Sequence, residues 1–141
     1  MTDIMAAIGR VQLKRYPKLL ERRREIIHRY YVALKNADCS PIEHYSEDYN
    51  SSMHLFLVRI SSCDEQKRNE IFKKLAENGI ACSVHYKPLP MMTAYKKLGF
   101  NIKDYPNAFA QYQNEITLPL NTMLSNDDVD YIIENFLSII K

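Results

Sequence analysis

Ile80-Ala81-Cys82-Ser83-Val84-His85-Tyr86-Lys87-Pro88-Leu89-Pro90 is the stretch from which the rest of the chain can be read. It predicts a short strand running straight into a proline-stiffened loop. Ile80, Cys82, Val84 and Tyr86 alternate onto one apolar face that wants a core, while Ala81, Ser83, His85 and Lys87 fall on the other. The second face brings a histidine and a lysine together at the strand's end, where binding groups commonly sit. Pro88 and Pro90 fix two backbone angles and withhold two N–H donors, so the loop leaves the sheet in a defined direction.

Working upstream, Ser62 with Glu65 predicts a capping box for a helix ending at Asn78, with Gly79 just beyond its end. Ile71, Phe72 and Leu75 give that helix a buried stripe. His54–Ile60 is apolar on both faces, which suits a central strand. Asn36–Ser52 carries Pro, Asp, Ser and Asn with little periodicity and reads as a surface connection. The opening, Met1–Lys35, has helical stripes at Ile4, Ala7, Ile8 and Val11 and again at Ile26, Ile27, Tyr30, Tyr31 and Leu34. Thr2 is its natural N-cap, although Met5 stands where a capping box wants Glu or Gln. Pro17 cannot donate to Leu13, which predicts a kink or restart with the break at Tyr16.

Downstream, Met92–Leu98 predicts a short helix stopped by Gly99. Asp104 is placed to cap another, with Pro106 in its first turn, running to about Gln113. Glu115–Leu120 predicts a third strand, ended by Pro119 and Asn121. Ser125 then caps a last helix whose positive end is favoured by Asp127, Asp128 and Asp130 and whose core face is Val129, Ile132, Ile133, Phe136 and Ile140. The sum is an α/β fold: a short three-stranded sheet covered by helices, with a long kinked N-terminal helix. Strand order is left open by these spacings.

A chain of 141 residues with 46% hydrophobic and 26% charged residues suits one globular domain or a piece of a larger one, and a net charge of +2 demands no polyanionic partner. No apolar run approaches the ~20 residues that cross a bilayer. Cys39, Cys63 and Cys82 are odd in number and form no C-x-x-C pair, which points to reduced thiols in a cytoplasmic protein. Only Gly9, Gly79 and Gly99 are available, too few for a nucleotide cradle, and no metal-ligand cluster is evident. Arg22, Arg23 and Arg24, with Lys18 and Arg29, make a basic patch that reads as a solvated face beside Glu21 and Glu25. No aromatic stacking motif accompanies it, so nucleic acid is not an expected partner.

His85, Tyr86 and Lys87 form the best chemical cluster, and it has two readings. It is either a strand end whose polar residues meet water, or a contact for a phosphate or substrate. Lys87 as a Schiff-base amine would require desolvation, which a loop between prolines does not offer.

Several segments together resemble the C-terminal part of the DegT/DnrJ/StrS family of pyridoxal-phosphate-dependent aminotransferases, which act mostly on nucleotide-linked keto sugars. The segments are Met1-Thr2-Asp3-Ile4-Met5-Ala6-Ala7-Ile8-Gly9 with Gln12-Leu13, then Arg22-Arg23-Arg24 and His54-Leu55-Phe56. They continue with Gly79-Ile80 through Val84-His85-Tyr86-Lys87-Pro88-Leu89, and Leu118-Pro119-Leu120 through Asp127-Asp128-Val129. They match in order and approximate spacing along nearly the whole chain. The resemblance implies a fold-type-I aminotransferase C-terminal small domain over 1–141, with 1–35 as an interdomain-type helix and 53–141 as a small α/β domain. It carries substrate contact over to His85 and Tyr86, which line the family's cleft. It also implies that the Schiff-base lysine, the acid on the pyridine nitrogen and the ring-stacking group belong to a large domain outside these residues. The expectation is therefore a portion of an aminotransferase that is inactive alone, binds no pyridoxal phosphate by itself, meets a nucleotide sugar only with a large domain, and self-associates through Ile4, Ile8 and Val11. The alternative is a stand-alone interaction or oligomerisation module with the same fold.

Overall fold

The computed structural model describes residues 1–141. Its first element is α1 (Asp3–Leu34), started by the Thr2 hydroxyl, which accepts the Met5 N–H at 3.4 Å. The helix neither stops nor restarts at Pro17 but continues through it. Proline removes one N–H, and the carbonyl it would have served belongs to Leu13, on an exposed stretch where water can take its place.

Three strands form the sheet: β1 (Cys39–Pro41), β2 (Phe56–Ile60) and β3 (Glu115–Leu118). They are antiparallel in the order β1-β2-β3, with Cys39 opposite Ile60, Phe56 opposite Leu118 and Arg59 opposite Glu115. The doubly apolar β2 is central, as its composition requires. The edge strand β1 comes from the segment expected to be a connection. Pro41 is tolerated there because an edge strand has one unpaired side.

Ile80–Tyr86, expected as a strand, is not one. It touches the sheet by a single bridge, in which Ser83 N–H donates to the Thr117 carbonyl at 3.2 Å and Thr117 N–H donates to the Ser83 carbonyl at 2.8 Å. An antiparallel ladder would next pair His85 with Glu115 and Ala81 with Pro119. At the first position the His85 N–H is taken by the Glu115 side chain, Oε2 at 3.0 Å. At the second, proline has no N–H to give. The ladder therefore ends after one pair.

Two helix starts also differ from expectation. Asp64, not Ser62, caps α2 (Glu65–Glu77), its carboxylate accepting the Lys67 N–H at 2.8 Å. Ser62 lies at φ 48 in the preceding turn, and a carboxylate suits the positive helix end better than a hydroxyl. Short α3 (Thr93–Lys97) is followed by Gly99 at φ 90, where a side chain would be strained. In front of α4 (Pro106–Gln113), Asp104 is used in a 3-10 turn (Ile102–Asp104), leaving Tyr105 at the cap position with no side-chain bond. The last helix, α5 (Asn126–Ile140), has a full capping box between Ser125 and Asp128.

One apolar cluster holds these elements together. Ile26, Ile27, Tyr30 and Leu34 of α1 pack with Phe56, Val58 and Ile60 of β2, Ile116 and Leu118 of β3, Ile71 and Leu75 of α2, and Val129, Ile132, Phe136 and Ile140 of α5. Tyr30 stacks on Phe56 with ring centroids 4.8 Å apart, and its hydroxyl donates to the Pro119 carbonyl at 2.7 Å. The basic patch is more than a solvated face. Arg22 donates to the Leu124 carbonyl at 2.6 Å and to Asn126 Oδ1 at 2.9 Å, Arg23 to the Met53 and His54 carbonyls, and Arg29 pairs with Asp130. These bonds fasten α1 to both flanks of the domain.

Candidate functional site

The single bridge between Ser83 and Thr117 fixes how His85 sits. Its backbone N–H is held by Glu115, and its ring Nδ1 lies 2.8 Å from Thr117 Oγ1. Thr117 in turn donates its hydroxyl proton to Glu115 Oε1 at 2.6 Å. Both oxygens of the Glu115 carboxylate are thus occupied, and the residue is 1% exposed, so His85 is tied to the sheet at backbone and ring.

Tyr86 is held differently. It was expected to turn into the core with Ile80, Cys82 and Val84, yet it is 69% exposed, while Ile80 is buried and Cys82 and Val84 are half-buried. The strand alternation that would have turned it inward ends with the bridge at Ser83. Its ring meets that of His85 edge to face at 4.6 Å. His85 and Tyr86 are therefore adjacent, one anchored and one free, and Lys87 beside them is exposed. Beyond them Pro88 and Pro90 set a 3-10 turn (Leu89–Met91) closed by the Met91 N–H on the Pro88 carbonyl at 2.9 Å.

Glu115 and Thr117 escape a reading of the sequence that treats Glu115–Leu120 only as a strand. The signal was there: period-2 alternation sets a carboxylate and a hydroxyl on one face of a strand whose every residue is buried. No cysteine offers a nucleophile. Burial pushes Cys39 up to about 11 and Cys82 up to about 12, and raises Cys63 as well, so all three stay thiols at neutral pH. Every lysine is exposed, so the chain presents no desolvated amine for a carbonyl cofactor.

The fold has counterparts among known proteins. The model of the DegT/DnrJ/EryC1/StrS aminotransferase family matches residues 1–137. Spr1654 of Streptococcus pneumoniae, assigned as a sugar aminotransferase and solved in apo, PMP and PLP forms, is 51% identical. Its PLP form superposes with a TM-score of 0.96 over 99% of this chain and 36% of its own. The spore coat polysaccharide biosynthesis protein SpsC of Bacillus subtilis is 36% identical over 149 residues, all of this chain and 37% of its own length. A UDP-4-amino-4,6-dideoxy-N-acetyl-beta-L-altrosamine transaminase of Campylobacter jejuni is 32% identical over 143 residues, again all of this chain and 37% of its own length. The chain spans little more than a third of the relatives it matches, corresponding to their C-terminal portion. With its sheet, helices and His85–Leu89 loop matched along almost every residue, this chain belongs to the DegT/DnrJ/EryC1/StrS aminotransferase family.

Proposed function

We propose that this chain supplies the small-domain wall of the active-site cleft in a pyridoxal-phosphate-dependent aminotransferase acting on nucleotide-linked keto sugars, with His85 and Tyr86 as substrate contacts. Family membership and the polysaccharide and amino-sugar names of its relatives support the reaction class. One observation carries the site: His85 is locked to β3 by two hydrogen bonds while its neighbour Tyr86 stays open to solvent. An anchored group beside a free aromatic is what a wall needs when it closes on a ligand held from the other side.

Pyridoxal phosphate does not fit these residues alone, because a Schiff-base lysine requires desolvation and every lysine here is exposed. In this reading the cofactor anchor comes from the large-domain part of the enzyme. Residues 1–35 form the interdomain helix and 53–141 the small domain. The working protein is a cytoplasmic oligomer. Free Cys39, Cys63 and Cys82 suit a reducing compartment, and no helix is long and apolar enough to cross a membrane.

The test is a hybrid that joins this chain to the large-domain part of Spr1654. Amino transfer to a nucleotide-linked keto sugar is expected to be restored, and Tyr86→Ala in the hybrid to raise KM about tenfold, or roughly 1.4 kcal/mol of binding. A folded, cofactor-loaded hybrid whose KM and kcat are indifferent to replacing both His85 and Tyr86 by alanine would overturn the site assignment.

A further inference from the structure

We propose that Glu115 and Thr117 are positioning residues that hold His85 protonated at Nδ1, so that Nε2 faces the ligand as a hydrogen-bond acceptor for a sugar hydroxyl. The identity of the ligand rests on the function proposed above; the state of the ring does not. A backbone N–H can only donate, so the His85 amide fixes one Glu115 oxygen as its acceptor at 3.0 Å. The other oxygen takes the single hydroxyl proton of Thr117 at 2.6 Å. With that proton committed, Thr117 Oγ1 has only lone pairs to offer His85, and the ring nitrogen 2.8 Å away must carry the hydrogen. In the neutral ring the lone pair is then at Nε2. That atom has no partner within the chain and is not buried.

The carboxylate behind this arrangement has no cationic side chain within 4.0 Å. It sits in a strand whose four residues are all buried, where an unpaired charge is costly. What it accomplishes there is directional. It orients the threonine hydroxyl, which orients the histidine. A neutral ring so held accepts a hydrogen bond from a hydroxyl and does not donate one to a phosphate.

The test is the two-bond ¹H–¹⁵N correlation spectrum of the histidine rings of the 141-residue chain near pH ~8, where an ordinary imidazole is neutral. His85 is assigned by difference with His85→Gln. The wild-type ring is expected to show Nδ1 protonated and Nε2 bare. Glu115→Gln should reverse the relay. Its amide oxygen must stay on the His85 N–H, so its NH₂ meets Thr117, whose freed proton passes to a bond with Nδ1 and leaves His85 protonated at Nε2. Thr117→Val should give the same switch by removing the acceptor, and Thr117→Ser should retain the wild-type pattern, which keeps the test alive if either buried variant fails to fold. Saturating inorganic phosphate should leave the His85 signals in place. Nε2 protonation in the wild type, an unchanged ring in folded Glu115→Gln, or a saturable phosphate shift at His85 would each overturn the proposal. These readouts need no sugar, so they can fail while the hybrid enzyme works, and the reverse.

Discussion

In the first half of α1, Ile4, Ile8 and Val11 make an apolar stripe and all three are exposed; in the second half, Ile26, Ile27, Tyr30 and Leu34 make another and all four are buried. Amphipathic spacing recurs in both halves, at Ile4, Ile8 and Val11 and at Ile26, Ile27, Tyr30 and Leu34. What differs is the supply of partners within the chain. The second half lies on α5 and β1, stacks Tyr30 on Phe56 of β2, and is fastened at its entry by Arg22 and Arg23, whereas residues 3–18, roughly 24 Å of helix at ~1.5 Å per residue, reach past the domain. An amphipathic stripe marks a face that needs covering; whether anything in the same chain covers it is a separate matter.

The sharpest way to break the contrast is to truncate one side chain on each side of it. Phe56→Ala removes a fully buried ring that touches Tyr30 and His44 and is expected to cost about 3–5 kcal/mol in urea denaturation. Ile8→Ala should change the unfolding free energy by no more than about 0.5 kcal/mol, because the side chain is already in water. Equal costs would mean that the free half is covered after all.

Next in size is the fastening of the helix. Arg23 donates to the Met53 and His54 carbonyls at 2.8 and 3.2 Å, and Met53 itself is buried. Arg23→Ala is expected to lose about 1–2 kcal/mol. It should also raise amide exchange in residues 19–25 ahead of Ile26–Leu34. Exchange rising evenly along α1 would show that Arg23 does not set the boundary between the halves.

A smaller effect separates the halves by pH. His44 stacks on Phe56, bonds Ser51 through Nδ1 at 3.0 Å, and takes its backbone position from the Tyr31 hydroxyl, so it belongs to the buried half. Burial lowers its pKa below the ordinary 6.5, and its Nε2 has no partner. The folded state therefore holds His44 neutral. Above about pH 6.5 this adds no penalty; as pH falls below it, the unfolded chain takes up a proton that the folded chain resists, and stability drops. The loss is bounded by ~1.4 kcal/mol per pH unit for one proton. Urea midpoints measured between roughly pH 7.5 and 5.5 should fall, and His44→Gln should flatten that slope.

Much of this was legible in the residues, and the misses share a cause. The helices, the central place of His54–Ile60 and the caps at Thr2 and Ser125 follow from local pattern, because caps and periodicity are local physics. The strand expected at Ile80–Tyr86 was lost at both ends of its one bridge: the Glu115 side chain captures the His85 N–H from 30 residues away, and Pro119 has no N–H to give Ala81. Conversely Cys39–Pro41, with no period of its own, became a strand only because β2 had an open edge. His85 and Tyr86 enter the candidate site by their position at the end of the Ile80–Tyr86 stretch and by family resemblance. The parts that orient His85, Glu115 and Thr117, were invisible as a unit because a hydrogen-bonded relay is a tertiary object.

The smallest expected change in stability goes with the clearest change in association. Ile4, Ile8 and Val11 leave a contiguous apolar stripe on a helix that no other element of the chain covers. Replacing all three with serine should leave the unfolding free energy of the buried half within about 0.5 kcal/mol, since none of them reaches the core. If the stripe joins copies of this chain, the wild type should sediment with a concentration-dependent mass above the 16.6 kDa of one chain, and the triple variant should return to it. A wild type that stays monomeric at high concentration would point to covering of the stripe by a different body, such as the large-domain part proposed above. In the hybrid with Spr1654 the same substitutions should then lower the urea midpoint of the joined protein.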